Sequence, residues 1–144
     1  MRRAPAAAVA ALATALTALS LSLSACGGII APDLFVVARV GPAHGQQLTL
    51  LVNEEGAVHC NGISAPKLSD AQLVQARAIQ EDLKEPASKH LVLAPAPGSV
   101  TTYYVRDEAG TVRFADNSHG QPPVLRRLAL FVLQTAQQVC HLPQ

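Results

Sequence analysis

The sequence predicts an α+β domain: a small antiparallel sheet from two hairpins plus an N-terminal strand, with two helices packed on one face in the order β-ββα-ββα. Three observations carry this expectation. Two turns of one kind, Asn53-Glu54-Glu55-Gly56 and Asp107-Glu108-Ala109-Gly110, each separate two short runs rich in apolar or β-branched residues. Two longer stretches, starting at Ser69 and at Pro122, repeat apolar residues at helical spacing. A further β-rich run, Leu34 to Val40, precedes the first hairpin. Elements with one apolar face bury it by stacking in layers, so helices on a sheet follow.

The first 25 residues stand apart from this domain. Met1-Arg2-Arg3 is positive, Ala6 to Leu21 is apolar with many small side chains, and Leu23-Ser24-Ala25-Cys26 closes the segment. These zones are those of a cleavable export signal: the arginines stay on the cytoplasmic side and the apolar stretch enters the membrane. The apolar run is short for a stable bilayer span of roughly 20 residues. Removing residues 1–25 leaves 119 residues, read as a flexible tether over 26–33 and one domain over 34–144.

The run Leu23-Ser24-Ala25-Cys26 resembles the lipobox of bacterial lipoproteins. The resemblance implies that Leu23, Ser24 and Ala25 are read by the signal peptidase. Cys26 then carries a diacylglycerol and becomes the first residue of the mature chain, and Gly27 and Gly28 begin the tether. Two or three acyl chains, at about 0.8 kcal/mol per buried methylene, hold a domain firmly to a membrane. The implied place is the extracytoplasmic face of the cell membrane, with membrane lipid as the first partner.

The domain begins with the strand Leu34 to Val40, ended by Gly41-Pro42-Ala43-His44-Gly45, which cannot continue it. Gln47 to Val52, the turn Asn53 to Gly56 and Ala57 to Cys60 make the first hairpin. Ser69 is placed as an N-cap whose hydroxyl accepts the amide of Gln72 while Gln72 reaches back, and Leu68 and Leu73 flank them. Leu73, Ala76, Ile79 and Leu83 then mark a helix from Asp70 to Glu85, ended by Pro86.

Ala94 to Ser99, with two prolines, is a stiff connector. Val100 to Arg106, the turn Asp107 to Gly110 and Thr111 to Ala115 form the second hairpin. Pro122 and Pro123 suit the first turn of a helix, where missing amides cost little. Leu125, Leu128, Ala129, Val132, Ala136 and Val139 form its apolar stripe. The two turns are 54 residues apart, so the domain reads as two ββα halves sharing one sheet.

Composition narrows the functions. Without Arg2 and Arg3, nine basic side chains face ten acidic ones, a balance that offers no nucleic-acid surface. No Trp and only five Phe and Tyr residues leave burial to Ala, Leu and Val and leave few aromatic anchors for a ligand. With Cys26 spent on lipid, Cys60 and Cys140 remain as an even pair in an exported chain and are expected to form a disulfide. No Cys-x-x-Cys is present to tune a redox thiolate.

No motif specifies a reaction. His44, His59, His90, His119 and His141 show no compact ligand spacing, so neither a metal nor another cofactor is expected. His59 meets Asp116 or His119 only if the two hairpins are neighbours. There is no Gly-x-Ser-x-Gly, no Ser-x-x-Lys at a helix start and no phosphate loop. Glu54-Glu55 and Asp107-Glu108 sit at turn tips, where solvated carboxylates keep a turn soluble. Arg126-Arg127 opens the last helix and is a candidate contact for anionic headgroups.

Arg outnumbers Lys eight to three and Ala is abundant, and the whole mature chain resembles a family of secreted lipoproteins of high-GC, actinobacterial-type bacteria. That likeness implies an address. Residues 101–133, through Tyr103-Tyr104-Val105, Gly110-Thr111-Val112, Phe114-Ala115-Asp116, Pro122-Pro123 and Leu128, are similar to emfourin, a small inhibitor of thermolysin-like metalloproteases. Arg39-Val40-Gly41 approximates the Arg-Ser-Gly-Gly segment of that family.

Three classes of function follow. The favoured one is a non-catalytic binding or scaffold module with an extracytoplasmic protein partner, which requires an exposed apolar patch on the open sheet face. A tethered protease inhibitor is the alternative and requires a stiff inserting loop, Gly41 to Gly45 or Ala94 to Ser99. An enzyme requires a cleft with perturbed polar groups.

Overall fold

The computed structural model describes residues 32–42 and 47–142. Residues 1–25, expected to be an export signal and including Leu23, Ser24 and Ala25, lie outside the described residues, as do Cys26, most of the expected tether, and His44. The elements run β1 (Asp33–Val40), β2 (Leu48–Asn53), β3 (Val58–Cys60), β4 (Ile63–Ala65), α1 (Asp70–Ser88), β5 (Thr102–Arg106), β6 (Thr111–Ala115) and α2 (Pro123–Gln138). All pairings between these strands are antiparallel, in the spatial order β4-β3-β2-β1-β5-β6. The class is the α+β one expected, with β1 starting at the last residue assigned to the tether.

One face of the sheet and the two helices share the core. Phe35 and Val37 of β1, Leu50 and Val52 of β2, Val105 of β5 and Val112 and Phe114 of β6 are buried against Ile79 and Leu83 of α1 and Leu125, Leu128, Phe131 and Val132 of α2. Phe35 meets Phe131 edge-on, ring centroids 5.9 Å apart, a favoured aromatic geometry.

The turns form as their chemistry dictates. Asn53 Oδ1 accepts the amides of Glu55 (3.0 Å) and Ala57 (2.8 Å), and Asp107 Oδ1 accepts those of Ala109 (2.8 Å) and Gly110 (3.0 Å). Because β2 and β5 both run antiparallel to β1, the two tips lie at the same end of the sheet. Helix α1 binds both tips. Arg77 Nη2 donates to the Glu54 carbonyl at 2.7 Å, and Gln80 Nε2 to the Glu108 carboxylate at 3.3 Å.

The structure extends or corrects four expectations. Strand β4 prolongs the first hairpin beyond Cys60, because Asn61 (φ 53°) and Gly62 (φ 81°) both take positive φ. Asn-Gly between two short runs is the sequence signature of this tight turn, and it stands in the chain.

Pro86 does not end α1, which continues to Ser88 with Pro86 and Ala87 buried. A proline in the last turn deprives the helix of one hydrogen bond, and burial outweighs that loss. The true stop is a Schellman motif. His90 takes φ 49°, its amide donates to the Ala87 carbonyl at 2.9 Å, and that of Leu91 to Pro86 at 3.0 Å.

Strand β5 starts at Thr102 rather than Val100, since Val100 turns its amide to the Asp116 carboxylate at 3.3 Å. Finally, the hairpins are not neighbours. β1 lies between them, and β2 and β1 separate His59 on β3 from the half that carries Asp116 and His119.

Candidate functional site

Alternation along β1, β5 and β6 sends one set of side chains to the core and the other to the uncovered face. The register sets that outer face: Val36 pairs with Arg106, Ala38 with Tyr104, and Tyr104 with Arg113. The Arg113 guanidinium lies over the Tyr104 ring, 5.1 Å from its centroid, a cation–π contact that holds both side chains on the surface. Residues 91–93 run beside β6. The amide of Leu93 donates to the Arg113 carbonyl and that of Arg113 to the Leu91 carbonyl, both at 2.9 Å. This adds Val92 to the patch.

Val36, Ala38, Val92, Tyr104, Arg106 and Arg113 line a shallow depression of about 350 Å³. Val92 is 65% exposed and Tyr104 44%, so the apolar part of the patch is open to a partner. Neither arginine has a carboxylate partner among the described residues. Four cations on or beside the helices differ. Arg77 pairs with Glu54 (3.8 Å), Lys84 with Glu81 (2.7 Å), Lys89 with Glu85 (2.6 Å) and Arg127 with Asp82.

A larger groove of about 480 Å³ lies between the end of α1 and the start of α2, walled by Pro86, Leu91, Pro122, Pro123 and Val124. Its rim carries the Asp82–Arg127 and Glu85–Lys89 pairs. The Lys89 hydrogen bond holds the Glu85 carboxyl below its ordinary value. Charges that neutralise each other within a rim select no ligand charge, so the smaller depression on the open face is the better candidate. A third hollow, about 280 Å³, surrounds Cys60, Cys140 and exposed Ile63.

The residues singled out in the sequence fall as follows. Cys60 and Cys140 stand at disulfide-bonding distance, with α-carbons 5.9 Å apart across 80 residues of chain. Arg127 is engaged by Asp82, and Arg126 Nη1 donates to the Gln121 carbonyl at 3.5 Å, so the pair is not a free basic surface. Glu54, Glu55 and Glu108 are exposed, and Glu54 and Glu108 lie near Arg77 and Lys84 (3.8 and 4.0 Å). His59 Nδ1 is 3.5 Å from Ser64 Oγ, and His90 Nδ1 is 3.2 Å from Thr111 Oγ1. Among the described residues no three His, Cys, Asp or Glu side chains are grouped to hold a metal ion.

The connector over 94–99 is clamped from one side. Asn117 Oδ1 accepts the Ala96 amide at 3.1 Å, its Nδ2 donates to the carbonyls of Ala96 (3.2 Å) and Pro97 (3.1 Å), and Ser99 Oγ donates to Asp116 at 2.9 Å. Tyr104, Arg106 and Arg113 were legible in principle. Period-two alternation puts Tyr104 and Arg106 on one face, and the turn at 107–110 sets Arg113 opposite Tyr104. Which face stays open was not.

No family model matches the chain, and no curated protein or solved structure is significantly similar to it.

Proposed function

We propose that this chain is a membrane-anchored extracytoplasmic lipoprotein, joined to lipid through Cys26, whose domain is a non-catalytic binding module. The observation that carries the binding role is the uncovered sheet face, where Tyr104, Val92, Val36 and Ala38 form an apolar patch beside Arg106 and Arg113. Apolar area is costly to leave in water, and a patch rimmed by charge is typical of a docking surface. The anchor rests on Leu23-Ser24-Ala25-Cys26 and the apolar run before it.

The test is the intact mass of the membrane-extracted protein, with and without reductant, beside a Cys26→Ala variant. The expected result is loss of residues 1–25, a diacylglyceryl adduct absent from the variant, and a gain of two hydrogens on reduction. A full-length, unmodified mass overturns the anchor.

A tethered protease inhibitor is the second reading, favoured by the Asn117 clamp on Ala96 and Pro97. A loop held before binding loses little freedom on entering a cleft. Titrating thermolysin with the detergent-solubilised lipoprotein tests it, and unchanged proteolysis rejects it.

A further inference from the structure

The two arginines of the open face point to the chemistry of what covers it. Among the strands, Asp33 is the sole acidic residue, and it stands three positions before the Val36 that pairs with Arg106. Arg77, Lys84 and Arg127 on the helices and Lys89 at the end of α1 are each matched by a carboxylate, while Arg126 donates to the Gln121 carbonyl. Positive charge is therefore left uncompensated on the open face, next to an exposed tyrosine. A planar guanidinium binds phosphate oxygens, and a tyrosine ring settles at the boundary between headgroups and acyl chains.

Chain length adds a second argument. Six residues lie between Cys26 and Asp33, seven residue steps with a reach of roughly 25 Å when extended. They lead directly into β1, the strand that pairs with β5 and shares its outer face. We propose that the open face is a second membrane contact: it lies on the anionic phospholipid headgroups beside its own anchor, Arg106 and Arg113 on phosphates and Tyr104 and Val92 in the interfacial layer. This rests on the lipid-anchored reading and names the ligand of the face.

The experiment uses the lipidated full chain reconstituted into vesicles of phosphatidylcholine alone or of equimolar phosphatidylcholine and phosphatidylglycerol. The chain has no Trp, so a Tyr104→Trp variant provides a single indole, read against lipids with a nitroxide on the headgroup. The expected result is quenching in the anionic vesicles only, relieved by salt. Arg106→Gln with Arg113→Gln should reduce the face-down population about thirtyfold, while the corresponding pair of lysine substitutions largely retains it.

An anchored chain whose indole is unquenched, or is quenched equally in both vesicles, overturns this proposal alone and returns the face to a protein partner. Quenching that survives the glutamine substitutions also overturns it. A chain that sediments with neither vesicle overturns the anchored reading and this one together.

Discussion

Gly110 faces the backbone carbonyl of Ala87 with no room for a side chain between them. The contact seats the tip of the β5–β6 hairpin on the last turn of α1, where buried Pro86 and Ala87 already extend the helix. At the other end of α1, a Cβ on Gly56 would meet Leu73 and Leu68 at ordinary van der Waals distance, 3.5 to 3.7 Å. Two glycines in equivalent turns therefore have different roles: one supplies a conformation, the other supplies clearance as well.

Gly110→Ala places a Cβ against a carbonyl that cannot rotate away, so hairpin or helix must shift. A loss of about 3 kcal/mol in urea unfolding is expected. Gly98, with nothing within 4 Å of a Cβ but φ 83°, gives the comparison: Gly98→Ala should cost about 1 kcal/mol, from backbone strain alone.

Cys60 ends β3 and Cys140 follows α2, so their bond ties the end of the last helix to the far side of the sheet. For a loop of 80 residues, the chain-entropy model gives about 4.5 kcal/mol. Cys60→Ala with Cys140→Ala should lower the denaturation midpoint accordingly and abolish the dependence of stability on reductant.

The Thr135 hydroxyl is fully buried on α2 and has no hydrogen-bond partner among the described residues. Thr135→Val replaces it with a methyl group of similar shape. Stability should rise by about 1 kcal/mol, read as a higher Tm at neutral pH.

Burial raises the Tyr103 phenol above the ordinary tyrosine range, opposed by nearby Arg39 and reinforced by Asp116. Its ring stacks on Phe114 at 4.8 Å. The folded state thus holds this proton more tightly than the unfolded chain. The resulting stability is complete below about pH 10 and is lost as pH rises through the raised folded value. Tyr103→Phe should flatten the alkaline fall of Tm, and tyrosinate absorbance of the parent protein should show one late-titrating phenol.

The sequence alone determined what depends on near neighbours. Ser69 and Gln72 cap α1 reciprocally, with the Gln72 amide to Ser69 Oγ at 3.3 Å and the Ser69 amide to Gln72 Oε1 at 3.0 Å. Asn53 and Asp107 close their turns, Pro122 and Pro123 start α2, and the apolar stripe at Leu125, Leu128, Val132 and Ala136 is buried. Asn61-Gly62 was equally legible, because a two-residue turn is specified by the φ values its own residues tolerate. Tertiary structure decided the rest: that β1 divides the hairpins, that Pro86 is carried inside a helix, that Arg127 is neutralised by Asp82, and that Arg106 and Arg113 share the uncovered face. Caps and turns are fixed by hydrogen bonds over a few residues. Strand order and the choice of open face are fixed by the joint burial of side chains tens of residues apart, which no local pattern encodes.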